Sequence, residues 1–172
     1  MVERSPAVCL IPLLSLLGGC SYESYRRAHS HPLEASMMGQ PVPLRFFSAG
    51  TSAQWHSFWF EGATIPLTCD KPMVFPVKGS PERAIDFTQF SVALSARLFS
   101  RGRIEVRPDP TTAPQVNAMM RQQTAQAQGA RGINGGAFYI DKITDDYVDI
   151  AMDVDDNLVH LVGTFRANLC KN

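Results

Sequence analysis

The sequence predicts an α+β domain: a small antiparallel sheet that ends in a C-terminal three-stranded meander, with one or two helices packed on it. Three observations carry that expectation. Apolar and polar residues alternate through three successive runs between Ala137 and Ala167, which is the period of half-buried strands. Two earlier runs, 81–99 and 112–128, open with helix-start residues and continue with apolar positions at helical spacing. Gly102 and Gly129 follow those runs, where a residue free to turn left-handed ends a helix.

The chain begins with an apolar run from Val8 to Leu17. About ten residues is half of what a membrane span needs, roughly twenty. It is the length of the hydrophobic region of a secretory signal, and small residues follow it as a processing site requires. The run closes with Leu17-Gly18-Gly19-Cys20, and these four residues resemble the lipobox of bacterial lipoproteins. The resemblance implies a signal peptide over 1–19, cleavage before Cys20, a diacylglyceryl group on the Cys20 thiol and an acyl group on the new amino end. Leu17 fills the apolar position and Gly19 the small one. Glu3 beside Arg4, and Pro12 within the apolar run, depart from the family's leader pattern. Two or more acyl chains anchor stably where one does not. Ser21, in place of an Asp after the lipidated Cys, implies the outer membrane and its periplasmic face.

Acidic and basic residues balance at 16 each, for a formal net charge of +0, and the leader removes one of each sign, Glu3 and Arg4. A neutral chain has no general attraction for nucleic acid, so none is expected as a partner. Of the four cysteines, Cys9 leaves with the signal and Cys20 carries lipid. Cys69 and Cys170 remain, an even pair in an oxidising compartment, and a structural disulfide between them is expected.

Residues 20–40 read as the lipidated Cys and a flexible polar tether, and 41–172 as a single globular periplasmic domain. Pro43–Phe47 and Gln54–Phe60 suit strands, with Ala49–Ser52 as the turn between them. Strict alternation sets Phe58 and Phe60 on one face and Trp55 and Trp59 on the other. Pro66, Pro72 and Pro76 confine residues 64–77 to edge strands or loop. Ser80 and Pro81 then open a helix. From Phe87 to Leu98 both periods fit, and Gly102 favours the helix, followed by a strand at 103–107. The pattern Leu94-x3-Leu98-x3-Gly102-x-Ile104-x-Val106 is similar to one in bacterial lipoproteins of unknown function, which implies the same helix-to-strand order. Thr112-Ala113-Pro114-Gln115 reads as a capping box, and the helix it opens ends at Gly129. The glycines of 129–136 make a mobile connector. Their order lacks the strand, helix and Lys of a phosphate loop. Strands at 137–143, 147–154 and 158–167 complete the chain.

No metal site, cofactor or catalytic set is expected from the sequence. His29 and His31 share a face in an extended chain but have no Cys, Asp or further His close by. Asp153-x-Asp155-x-Asn157 has Leu158 and Thr164 where a calcium loop needs Gly and Glu. The candidate binding surface is Trp55, Trp59, Asp145 and Asp146: aromatic area together with an acidic edge. The expected function is a membrane-anchored periplasmic lipoprotein that binds another envelope protein without catalysis, as an accessory component or a toxin inhibitor. A carrier of a small apolar ligand or lipid, lined by the aromatics of 55–60, is one alternative. An envelope hydrolase using His56 or His160 with an acid from the meander is the other.

Overall fold

The computed structural model describes residues 15–52, 57–67, 69, 86–95, 101–106, 116–124 and 128–170. Among them there is one helix, α1 (Ser15–Ala28), and eleven strands. The strands are β1 (Glu34–Met37), β2 (Gln40–Pro41), β3 (Phe46–Ser52), β4 (Ser57–Ala63), β5 (Phe87–Ser95), β6 (Gly102–Glu105), β7 (Val116–Gln123), β8 (Gln128–Gly132), β9 (Ala137–Ile143), β10 (Tyr147–Asp155) and β11 (Val159–Leu169). The fold is therefore mostly β, not α+β with packed helices.

All eleven strands form one sheet, ordered β6-β9-β10-β11-β3-β4-β5-β7-β8, with the β1–β2 hairpin attached to β11. Neighbours are antiparallel except β11 and β3, which meet in parallel through Asn168–Ser48 and Leu169–Ala49. The length of β11 makes this possible. Residues 159–162 pair with β1 and residues 168–169 with β3, so one strand joins the C-terminal meander to the β3–β4–β5–β7–β8 run.

The sheet curls into a half-barrel. Phe60 on β4 and Phe138 on β9 are four strand steps apart, about 19 Å on a flat sheet at ordinary strand spacing. Their ring centroids are 5.1 Å apart. Phe60 also approaches Phe90 at 6.4 Å and Phe165 at 6.2 Å, and Phe165 lies 4.8 Å from Phe47. These rings fill the concave side together with Val92, Leu94, Met120, Ile140, Ile150, Met152 and Leu161, all buried.

Both expected helices are corrected. Residues 87–95 form β5, paired with β4 through Val92–Phe60 and with β7 through Val92–Ala118. Residues 116–123 form β7 and 128–132 form β8. Phe90 and Leu94, like Val116 and Met120, are four residues apart. That spacing keeps two residues on one face in a helix and in a strand alike. Hydrogen-bonding neighbours on both sides of β5 and β7 decide for strand. Two loop expectations change as well. Ala49–Ser52 is not a turn but the end of β3. The glycine-rich connector begins as β8, and Ile133 after it is buried, its N–H donating to the Ala118 carbonyl at 2.8 Å. The strands read at 137–143, 147–154 and 158–167 are present as β9, β10 and β11. The leader up to residue 14, the extended run at 72–77, the Ser80–Arg83 helix start and the Thr112–Gln115 box lie outside the described residues.

Residues 20–40, expected as a tether, run through the end of α1 into β1. The convex face of β9 and β10 presents Ala137 and Ala151, whose small side chains leave a shallow seat beside Tyr139. Ala28 at the end of α1 is fully buried there.

Candidate functional site

The candidate residues fall into four places. Cys20 lies in α1. Cys69 and Cys170 are joined by a disulfide, with Cα atoms 5.2 Å apart and a sequence separation of 101. It ties the chain end to residue 69, while the Cys170 N–H donates to the Ala49 carbonyl at 2.7 Å.

Trp59 is only 4 % exposed. Its indole lies over Gly50, opposite it on β3; a Cβ at Gly50 would fall 2.6 Å from the ring. The absence of a side chain on Gly50 is what admits the indole. Trp55 and His56 lie outside the described residues. Asp145 and Asp146 are exposed in the β9–β10 turn. Thr144 holds that turn: its Oγ1 accepts from the N–H groups of Asp146 and Tyr147 and donates to the Tyr147 carbonyl. The Asp146 carbonyl accepts the Leu169 N–H at 2.7 Å. Two carboxylates thus stand on a braced turn.

His160 on β11 is opposite Asp155 on β10, with Nδ1 3.3 Å from a carboxylate oxygen. Arg27 of α1 lies 3.2 Å from the other oxygen and 3.1 Å from Asp153. The hydrogen bond from His160, then that from Arg27, holds the Asp155 carboxyl below the ordinary carboxylate range. These acids are therefore engaged with α1, and Asp156 caps the β10–β11 turn by accepting from the N–H groups of Leu158 and Val159. His29 and His31 do not converge. His29 bridges the Tyr25 carbonyl and Asp141, whereas His31 meets the Pro32 carbonyl and Glu34. Among the described residues no three His, Cys, Asp or Glu side chains gather as a metal requires.

Comparison with protein-family models, with curated proteins and with solved structures finds no match.

Two clusters escaped the sequence reading. The first is a polar seam on the sheet face opposite the rings. Glu61 is 0 % exposed and accepts from Ser48 Oγ at 3.0 Å and from Gln89 Nε2 at 2.5 Å. Arg121, also buried, has its guanidinium pKa lowered by burial, with the charge of Glu61 acting against that shift. The signal was the alternation of β4 itself: Glu61 follows Trp59 on the face that Phe58 and Phe60 do not use. The second cluster is the α1 dock. Tyr139 Oη donates to Ser24 Oγ at 3.0 Å, His29 Nε2 and Asp141 are 2.9 Å apart, and Tyr25 stacks on His29 at 3.9 Å. No local pattern could have found it, because Asp141 is 112 residues from His29.

Proposed function

We propose that this chain is a membrane-anchored periplasmic lipoprotein of the bacterial outer membrane that binds another envelope protein and performs no catalysis. The observation that carries the binding assignment is the filled interior. Phe60 packs against Phe90, Phe138 and Phe165 inside the curled sheet, and Phe58 and Trp59 are buried as well, so the described aromatics of 55–60 that a ligand carrier would use to line a cavity are packed as core. Function then belongs to the outer surface, where Asp145 and Asp146 stand on a braced turn and suit a basic patch on the partner. The Cys69–Cys170 disulfide favours export, since such bonds persist in oxidising compartments. Lipid attachment at Cys20 rests on the resemblance of Leu17-Gly18-Gly19-Cys20 to a lipobox.

The test uses full-length protein with a C-terminal affinity tag, extracted in detergent from bacterial envelopes, with captured chains identified by mass spectrometry. One partner in stoichiometric amount is expected, and Asp145→Lys with Asp146→Lys should lose it. Capture of no protein, or of a bound lipid alone, would overturn the assignment. Cys20→Ser should release the protein from the membrane fraction, and retention there would remove the anchor.

A further inference from the structure

The dock of α1 leaves an anchored domain little slack. Eight helical steps from Cys20 to Ala28 rise about 12 Å, whereas the same residues extended would span about 26–29 Å. Ala28 is buried against Ala137, Tyr139 and Ala151. Arg27, His29 and Ser24 hold Asp153, Asp155, Asp141 and Tyr139 on the sheet. An acyl group at residue 20 therefore brings the convex face of β9–β11 to the bilayer surface.

The helix face turned away from that dock is equipped for the headgroup layer. Tyr22 on that face is 70 % exposed, and Tyr25, at its flank where the ring meets His29 and Tyr139 of the dock, is still 47 % exposed. These two are half of the exposed large hydrophobics among the described residues, the others being Met38 and Phe46. Tyr22 and Arg26 are one turn apart, so they share a stripe. A tyrosine places its ring and hydroxyl at the level of the headgroups, and an arginine pairs with their phosphates. Glu23, on the same side, lies 3.7 Å from Arg26, which offsets its repulsion from anionic lipid.

We propose that Cys20–Ala28, the part of α1 left after cleavage before Cys20, lies flat between the sheet and the bilayer, with Tyr22 and Arg26 set among phospholipid headgroups, so that the anchor orients the domain rather than tethering it. The proposal rests on the lipid anchor at Cys20.

The test uses the lipidated full chain in vesicles of phosphatidylethanolamine and phosphatidylglycerol that carry a headgroup nitroxide. A fluorophore is attached in turn at Tyr22→Cys, Arg26→Cys, Lys142→Cys on β9 beside the dock, and Gln122→Cys on β7 in the other half of the sheet. The oriented helix predicts several-fold stronger quenching at 22 and 26 than at 122, with 142 between them. Vesicle flotation is read on the same samples. Protein that floats with equal quenching at 142 and 122, or with no quenching at 26, has a loose domain, which overturns the pose and leaves the anchor standing. Protein that does not float lacks the anchor, and the pose falls with it.

Discussion

Gly163 of β11 lies directly beneath the backbone of Pro32. A Cβ at Gly163 would stand 2.5 Å from the Pro32 carbonyl oxygen and 2.8 Å from that of His31, and its φ of +122° is one that side chains rarely adopt. Around it the Thr164 N–H donates to the His31 carbonyl and the Leu33 N–H to the Thr164 carbonyl, both at 2.9 Å. The glycine lets the segment after α1 cross the sheet at backbone contact. Gly163→Ala should cost about 1–3 kcal/mol from backbone strain and should make residues 28–33 newly sensitive to protease. Unchanged urea midpoint and cleavage pattern would refute this role.

Phe138 is fully buried against Phe60 across the curl. Phe138→Ala should cost about 3–5 kcal/mol, as ring deletions in packed cores do. Urea unfolding of the oxidised protein measures it. A loss under about 1 kcal/mol would place Phe138 outside a packed interior.

Removal of Glu61 leaves Arg121 buried beside a lost charge and takes the acceptor from Ser48 and Gln89. Glu61→Ala should cost about 3–5 kcal/mol, the range for breaking a buried charge arrangement on one side. Glu61→Gln, which keeps an acceptor oxygen, should cost less. Equal losses in the two variants would contradict the role assigned to the carboxylate.

The Cys69–Cys170 bond closes a loop with a sequence separation of 101. Cys69→Ser with Cys170→Ser should lower stability by about 4–5 kcal/mol if restriction of the unfolded chain dominates. A thiol reductant should shift the midpoint of the parent protein and leave that of the double variant unmoved.

Asp155 has its carboxyl held down chiefly by His160. A carboxylate with a lowered folded pKa stabilises fully above its unfolded value, near 3.9, and loses that contribution as pH falls through the folded value. The group is largely exposed, so the effect is small. Asp155→Asn should flatten the stability profile below about pH 4, and His160→Ala should do so in part. Acid titration of the urea midpoint checks both, and a profile as steep in Asp155→Asn as in the parent would exclude Asp155 as a source of acid lability.

By itself the sequence determined the C-terminal meander and the pairing of two cysteines. Val148, Ile150 and Met152 alternate against Asp149 and Asp153, and aspartates at both turns cut the stretch into strand-length runs. Cys69 and Cys170 were the two cysteines left by a reading in which the lipobox resemblance assigns Cys9 to a signal and Cys20 to lipid, and the disulfide joins them. Tertiary structure decided the rest. Residues 87–95 and 116–123 carry apolar residues four apart, which serve a helix and a strand equally, so only strand neighbours on both sides could choose. Trp59 offered an apolar surface in the sequence and became core because Gly50, brought opposite by the β3–β4 register, makes room for its ring. The polar run after Cys20 found partners in α1 and β1 because Asp141, Asp153 and Asp155, more than a hundred residues away in the chain, are gathered on one convex face. Period and composition act over a few residues, whereas the curl and the dock depend on contacts between distant strands.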